Sequence, residues 1–427
     1  MTKLKFKLLF LIGSLSIAPT SFALTLDQAV DAALVHESQL RLSRLNVAQS
    51  QAMLQQAKQQ YGLNVNLVGQ YGHEKVVTPQ GVYVPTEGSR NFHGAELQFD
   101  YPLYTFGRYP TGVNAAKMQL AAREQAVSGQ SSDTILQTVK VYCNVLKQQA
   151  LLDLKIQMRA NLKQSLYEAE RRFKVGMITR ADLAQVQAQY AQGIADVVSV
   201  QSNLKIAQTQ FNLVTGQVAQ DLKQIANLPT IPANVETALR QLEQHPLLRQ
   251  AQYEQQAAQQ QYRLSKLELK PMLMLNSRAG VQDQLETLNS KSENYSVSAQ
   301  LKIPLFDDGL NRANRLKALT DVDLAKQKAQ TLKQNLQQDI QTSYAQLEAI
   351  RQNRLAIQEA VQSATVALQY IKKEQEVGTK TTFDELTAEQ TLFDMQTQQV
   401  LNDQDEVVLV YQLLDQMGGL NAVNNSK

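Results

Sequence analysis

Two short turns hold the polar residues whose types and spacing could do chemistry. Each turn has a glycine followed by a Thr-x-x-Asp pattern, in the residues Gly176, Thr179, Asp182 and Gly378, Thr381, Asp384. A threonine at a helix start can cap the first turn, and a carboxylate three residues later completes a capping box and is favoured by the helix dipole. Thr382 and Glu385 form an overlapping pair, so the sequence leaves open which threonine caps the second helix.

The residue patterns of catalytic and metal chemistry are missing from the sequence. The four histidines, at positions 36, 73, 93 and 245, do not have the spacing of metal ligands. There is no nucleophile motif, and no glycine-rich phosphate loop follows a strand-like segment. Lysines and arginines are scattered among acids on helix faces, which is not the footprint of nucleic-acid binding. The sequence therefore predicts a protein that is not an enzyme and has no cofactor, metal or nucleic-acid partner.

The first 23 residues have the three parts of a secretory signal peptide. Three lysines precede an apolar run over residues 8–17, and Ser21 and Ala23 are small residues at the two positions that a signal peptidase reads. We expect cleavage near Leu24, which lowers the basic count by three, from 42 to 39, equal to the 39 acidic residues. No later segment approaches the roughly 20 apolar residues of a spanning helix. Cys143 is the single cysteine, and we expect it to be a small packed residue on a helix.

The rest of the chain reads as an internal duplication. The segment around Gly378 repeats the segment around Gly176 at an offset of 202 residues, and the same offset superposes Pro304-Leu305-Phe306 on Pro102-Leu103-Tyr104. We predict a first repeat over 24–216, a linker or equatorial segment over 217–230, a second repeat over 231–418 and a short tail over 419–427.

Each repeat is predicted to contain a helical stretch, a β-hairpin and two long helices that meet at the glycine turn. The helix from about Pro110 to Phe173 would extend roughly 95 Å at about 1.5 Å per residue. From Leu183 to Val214 apolar residues recur at alternating spacings of three and four, interrupted by Gly193, which indicates a coiled-coil seam. The fold class predicted is mainly α with a small membrane β part.

Four segments of about ten residues alternate between apolar and polar positions. They span 63–72, 93–104, 271–281 and 295–306. The apolar residues of the helices are used in narrow coiled-coil seams and leave none to cover the apolar face of the strands, so we expect lipid to cover it. The length of the segments also suits tilted membrane strands. Four strands cannot close a barrel, and an open edge is not tolerated in hydrocarbon, which predicts a symmetric oligomer. The charged residues expected in the polar interior of the barrel are Glu96, Asp100, Arg278 and Lys302.

With these features assembled, the mature chain resembles the TolC family of outer-membrane efflux and secretion channels. The resemblance covers essentially Leu24 to Gly418 and rests on the duplication, on "LTLDQAVDAAL" after the leader, on "YPLYTFGR" and "IPLFDDG" after each hairpin, and on the "VGMITRADL" and "VGTKTTFDEL" turns. It implies a homotrimer with a 12-stranded barrel in the outer membrane of a Gram-negative bacterium and a coiled-coil helical tunnel in the periplasm. It also implies docking to a periplasmic adaptor, or membrane fusion protein, and an inner-membrane transporter, in a tripartite efflux pump or a type I secretion system.

The resemblance also implies roles for residues at the glycine turns. The family's basic residue at the second turn, which pairs with an acid at the first turn to close the tip, corresponds to Lys380, and its partner to Asp182. Any acid on a threefold axis appears three times at close range, so Asp384, together with Glu385, is expected to form an anionic ring that favours cations. The second acid of the family's ring corresponds to Thr387, and the family's tyrosine in the closing network corresponds to Gln375.

Long heptads are also typical of an exported coiled-coil scaffold and of a periplasmic adaptor protein. An adaptor normally has one helical hairpin between glycine-rich β modules, whereas this sequence has two hairpins and no such modules. A scaffold would not need four isolated alternating strands. These two classes are kept as the alternative to the channel.

Overall fold

A computed structural model describes residues 23–76, 88–284 and 290–420. The chain divides into two compact units, and each unit takes segments from both sequence repeats. Of the described residues, the first unit contains those up to His36, Gln137–Leu228 and Arg354–Gln404, and the second contains those in Glu37–Leu136, in Pro229–Asn353 and from Asp405 onward. The predicted signal peptide, apart from Ala23, and residues 421–427 of the predicted tail lie outside the described residues.

The order of elements recurs along the chain. The first series is α1 (Leu26–His36), α2 (Ser38–Gln59), β1 (Asn64–Val76), β2 (Gly88–Tyr104), α3 (Arg108–Lys174) and α4 (Arg180–Thr215). The second is α5 (Val235–Gln241), a 3₁₀ turn (Leu242–Gln244), α6 (Pro246–Leu267), β3 (Met272–Gln284), β4 (Ser290–Lys302), α7 (Leu310–Glu376) and α8 (Thr382–Gln416). The mainly helical fold with four strands is as predicted.

The helices α3 and α7 are each 67 residues long. Pro110 lies in the first turn of α3, where its missing N–H costs nothing, and no later proline interrupts either helix. In the part of the chain that the structure describes, no helix has both the length and the apolar character needed to cross a membrane.

The coiled-coil seam predicted on α4 is confirmed in the first unit. Its buried residues keep the predicted spacing: Val186, Gly193, Val197, Leu204, Ala207, Phe211 and Val214. The glycine in this seam has a packing reason, because a β-carbon at Gly193 would lie 2.9 Å from Cδ1 of Leu162 on α3. A core cluster of this unit joins α3, α4 and α8 through Met158, Leu162, Ala169, Val186, Leu386 and Phe393.

Two neighbouring residues of α3, Tyr142 and Cys143, are buried, and Tyr142 joins the beginning of the described chain to the linker. Tyr142 is fully buried, and its hydroxyl shares its one proton between the carbonyl oxygens of Leu24, at 2.8 Å, and Lys223, at 2.6 Å. Cys143 is buried, and burial raises the pKa of its thiol to about 12. The prediction of a small packed cysteine on a helix agrees with this environment, which disfavours the reactive thiolate.

The second unit contains one antiparallel sheet with the strand order β1-β2-β3-β4. The strands are 13 to 17 residues long, which is longer than the ten or so predicted. The apolar alternation marks only part of each strand, whereas backbone pairing requires no apolar side chain and continues toward the hairpin turns. At the other end β4 stops at Lys302, before Pro304, which has no N–H to donate to a neighbouring strand.

Each hairpin passes into its long helix through a pair of left-handed residues. Phe106 and Gly107 have φ values of 48° and 90°, and Asp308 and Gly309 have 50° and 87°. The conformation is conserved between the repeats although Phe106 and Asp308 differ in type. Arg108, the first residue of α3, donates to the carbonyl oxygens of Leu267, Glu268 and Lys270 at the end of α6.

Candidate functional site

The two glycine turns lie in the first unit and reverse the chain between long helices. Gly176 and Gly378 have φ values of 76° and 81°, a left-handed conformation in which a residue with a β-carbon is strained. The N–H of Gly176 donates to the carbonyl oxygen of Phe173 at 2.9 Å, and that of Gly378 donates to Gln375 at 3.1 Å. The backbone conformation therefore favours glycine at both positions.

Both Thr-x-x-Asp patterns form capping boxes with equal geometry. In each box the threonine N–H and hydroxyl donate to the aspartate Oδ2 at 2.9 and 2.8 Å, and the aspartate N–H donates to the threonine Oγ1 at 3.2 Å. Thr381, and not Thr382, is therefore the cap of α8. These bonds hold the pKa of Asp182 and Asp384 below the usual range, and the charge of Lys380 acts in the same direction on Asp384.

Lys380 and Asp182 line one cavity of about 680 Å³ in the first unit, together with Arg172, Gln375 and Phe383. Both side chains are exposed. Within the described chain, no hydrogen bond or ion pair joins them. Gln375 is buried, and its Oε1 accepts a hydrogen bond from Arg172 at 3.1 Å.

Glu385, unlike its partly exposed neighbour Asp384, is buried in the single chain. It is 9% exposed, and Nζ of Lys372 on α7 lies 3.7 Å from its Oε1 and 2.8 Å from Oε1 of Glu389. Burial raises the pKa of Glu385, while Lys372 acts in the opposite direction. Its position on α8 points it into the helix interface instead of away from it.

Sequence reasoning missed Lys372 and Glu389. Glu385 and Glu389 are four residues apart, so the spacing places them on one face of α8, but it does not show that this face is buried. The contact with Lys372 could not be predicted, because Lys372 lies on α7 and the two acids lie on α8.

The charged residues predicted for the barrel interior all lie on one face of the sheet. Asp100 is opposite Asn276, Glu96 is opposite Gly280, and Arg278 is opposite Gln98 and Ser296. Lys302 follows Ser296, Ser298 and Gln300 on the same face. A groove of about 460 Å³ on this face is lined by Asn276, Arg278, Ser296, Ser298, Ala299 and Gln300.

The opposite face is apolar and exposed in the single chain. The register places Leu67 against Leu97 and Tyr71 against His93 on this face. Its most exposed side chains are Leu67 at 74%, Tyr71 at 77%, Tyr295 at 74% and Val297 at 75%. Such a continuous apolar surface requires a cover that the chain does not supply by itself.

His73, in the first hairpin, makes ordinary hydrogen bonds. His73 contacts Oδ1 of Asn91 at 2.8 Å and Oγ of Ser89 at 2.6 Å. Across the described ranges, no group of three or more His, Cys, Asp or Glu side chains is placed to hold a metal ion.

Comparison of the sequence with known proteins identifies a family and several relatives. The family model for the outer membrane efflux protein matches residues 29–217 and 239–419. The chain is 24% identical to the outer membrane efflux protein BepC of Brucella suis over 96% of this chain and 89% of BepC. It is 25% identical to the outer membrane protein TolC of Escherichia coli over 73% of this chain and 68% of TolC.

The fold is also found among solved structures. The outer membrane protein VceC of Vibrio cholerae superposes with a TM-score of 0.82 at 19% identity, covering 92% of this chain and 96% of VceC. The family match spans most of both repeats, and the described structure has the corresponding fold. The chain therefore belongs to the outer membrane efflux protein family, to which TolC also belongs, and is an outer-membrane efflux channel protein.

Proposed function

We propose that three copies of this chain form the channel component of a tripartite efflux pump or a type I secretion system. Residues 1–23 would be removed on export, and the four strands of each copy would close into a 12-stranded barrel among the lipids of the outer membrane. The observation that carries the proposal is the two-sided sheet, polar with Glu96, Asp100, Arg278 and Lys302 on one face and apolar and exposed on the other.

The edges of the sheet support the oligomer. The strands β1 and β4 are the two edges of the described sheet, so each chain offers one of each to its neighbours. Unpaired N–H and C=O groups are costly in hydrocarbon, and four strands are too few to close on themselves. Three copies supply 12 strands, within the range of known membrane barrels.

The glycine turns are proposed to form a gate at the periplasmic end. Lys380 and Asp182 line the same cavity, and no hydrogen bond or ion pair joins them within the described part of one chain. In a threefold ring, Lys380 is proposed to pair with Asp182 of a neighbouring copy. An exposed pair of this kind contributes at most about 1 kcal/mol, but three copies bias a two-state opening together.

Asp384 is proposed to form the acidic ring without Glu385. Its carboxylate stays ionised because the Thr381 hydrogen bonds lower its pKa. An anionic ring attracts cations into a narrow opening. In planar bilayers with a salt gradient, we expect the reversal potential of Asp384→Asn to move toward zero relative to the unmodified channel. An unchanged reversal potential would place the selectivity elsewhere.

The remaining partners are a periplasmic adaptor and an inner-membrane transporter. The helical hairpins expose the surface that such partners would contact, and cargo choice would lie mainly in the transporter. Cross-linking in cells, followed by purification of the channel and identification of the bound chains, tests this part of the proposal. Recovery of the channel with no adaptor would contradict it.

Cell fractionation tests the assembly and separates the channel from its alternative. We expect the protein in the outer membrane, soluble only with detergent, as a trimer that dissociates on heating. An exported coiled-coil scaffold or an adaptor protein would instead be released from the periplasm or dissolve in urea. A urea-soluble monomer would overturn the proposal.

A further inference from the structure

The two β-hairpins of the sheet repeat each other in backbone pairing as well as in order. Both ends of β3 lie 208 residues after those of β1, and α7, which follows β4, begins 202 residues after α3, which follows β2. These offsets convert the pair Asn64–Asp100 of the first hairpin into Met272–Lys302, and these two residues are opposite each other in the second hairpin. The duplication therefore extends to the register of the strands.

One contact between strands of the two repeats is present in the chain. β2, the last strand of the first repeat, pairs with β3, the first strand of the second, and Gln98 lies opposite Arg278. In the proposed ring, β4 of one copy and β1 of the next are again a last strand beside a first strand. A closed symmetric ring gives every repeat a neighbour of the same fold on each side. The contact within the chain is therefore a template for the contact between copies.

We infer that β4 pairs with β1 of the neighbouring copy in the register in which β2 pairs with β3. This pairing rests on the proposed trimeric barrel and specifies which residues of two copies meet. The offsets of 202 and 208 place Lys302 opposite Val68 of the neighbouring copy and Gln300 opposite Gln70 of that copy. All four residues then lie on the polar face, as the alternation along each strand requires.

The two faces of the sheet restrict this register without determining it. A shift by one residue would turn every side chain of β1 to the opposite face and put Leu67 and Tyr71 in the polar interior. A shift by two residues keeps both faces and changes only which residues are opposite each other. Side-chain size distinguishes the registers that remain.

Within the chain, the contact between the repeats sets large side chains against small ones on the apolar face. Phe99 is opposite Ser277, and Leu97 is opposite Ala279. Opposite side chains on one face of an antiparallel pair have β-carbons about 5 Å apart, so their sizes must be compatible. The template thus has two large–small pairs in succession.

The inferred register keeps both pairs complementary in size. It sets Leu301 opposite Gly69 of the neighbouring copy and Ala299 opposite Tyr71 of that copy, so the large member of the second pair has changed sides. A β-carbon at Gly69 would meet nothing within 4 Å in the single chain, which leaves room for Leu301. A register two residues away would set Ala299 against Gly69 or Leu301 against Tyr71, which pairs two small or two large side chains.

Cysteine cross-linking between copies measures the register. In the full-length protein in its membrane, Lys302→Cys is combined in turn with Asn64→Cys, Asn66→Cys, Val68→Cys or Gln70→Cys. Successive positions on this face of β1 are about 7 Å apart, so a bismethanethiosulfonate with an ethylene spacer distinguishes them. We expect covalent dimers and trimers on denaturing gels to be most abundant with Val68→Cys, by about fivefold or more over Asn66→Cys and Gln70→Cys.

A second fixed cysteine tests the strand direction. With Gln300→Cys, the maximum should move to Gln70→Cys, because the strands of the inferred pair are antiparallel. The single-cysteine variants and the unmodified chain are the controls and should give no covalent dimer. The unmodified chain contains only Cys143, which is buried with its thiol pKa raised to about 12 and is therefore unreactive. Within one chain, β2 and β3 separate β1 from β4 by about 14 Å, beyond the reach of the reagent.

Maxima at other positions would overturn the inferred register and leave the trimeric barrel standing. Absence of cross-links in every variant, with a heat-dissociable trimer still present, would overturn the pairing of β4 with β1. A monomeric unmodified chain would overturn the proposed function itself. If the variants of one series do not assemble, the maximum of the other series decides the register.

Discussion

The two glycine turns have the same capping geometry but differ in the side chains that surround it. The three hydrogen bonds of the box at Thr179 have the same lengths as those at Thr381. At the offset of 202, however, the second turn has Lys380 where the first has Ile178. The local turn was kept in both copies, and the surrounding side chains changed.

The interiors behind the turns differ more strongly. The second hairpin has the buried cluster of Lys372, Glu385 and Glu389, whereas the matching positions of the first hairpin are Glu170, Leu183 and Gln187. Leu183 packs against the core cluster, as an apolar residue should. Both hairpins contribute apolar residues to the core cluster, and the second has in addition buried carboxylates paired with a lysine.

The largest expected effect is on the single-channel conductance, through the proposed pair of Lys380 in the second turn and Asp182 in the first. Lys380→Ala and Asp182→Ala should each raise the single-channel conductance severalfold, because each removes one side of the proposed closing pair in all three copies. Arg180→Ala removes an exposed basic residue from the first turn and is the matched control. Unchanged conductance in both Lys380→Ala and Asp182→Ala would refute the proposed closing pair.

The second largest expected effect is on stability, through the buried cluster of Lys372, Glu385 and Glu389. Lys372→Met leaves Glu385 and Glu389 buried without their cation. Removing one partner of a fully buried pair costs about 3–5 kcal/mol, and because Lys372 is 43% exposed we expect about 2 kcal/mol. The melting temperature of the purified protein should fall by several degrees.

Lys373→Met, at the exposed neighbouring position, is the control and should leave the melting temperature nearly unchanged. Adding Glu385→Leu and Glu389→Gln to Lys372→Met gives the second hairpin the residues of the first at those two positions and should recover most of the loss. Equal melting temperatures for Lys372→Met and Lys373→Met would refute a stabilising cluster.

The capping boxes should not distinguish the turns. Thr179→Ala and Thr381→Ala each remove one cap, at a typical cost of about 1 kcal/mol. Equal geometry predicts equal losses of melting temperature. Clearly different losses of melting temperature would mean that one capping box also stabilises the assembly, besides capping its helix.

The smallest effect is the pH dependence of Glu385. Burial raises its pKa above the ordinary 4.5, so the unfolded chain releases this proton at lower pH than the folded chain does. Its contribution to stability is therefore fully present below about 4.5 and is lost as the pH rises through the folded pKa. The melting temperature of Glu385→Gln, relative to the unmodified protein, should be higher at pH 7.5 than at pH 4.5. A difference that stays constant with pH would exclude this titration.

The capping boxes, the seam of α4 and the two faces of the sheet were predictable because each depends on spacing within one segment. The seam follows from residues three and four apart, and the polar face follows from alternation along each strand. The burial of Glu385 was not predictable in the same way. It depends on Lys372 and on the helix that supplies it, and a single sequence does not report that contact. The strands were predicted too short because hydrophobic alternation does not mark where backbone pairing ends.

The sheet edges have a genetic consequence. Because β1 and β4 are different strands, each proposed contact between copies joins an edge of one kind to an edge of the other, and every copy is needed to close the ring. A variant with one edge blocked would therefore act dominantly. If it is made in equal amount with the unmodified chain and mixes freely, only about one ring in eight contains three unmodified copies.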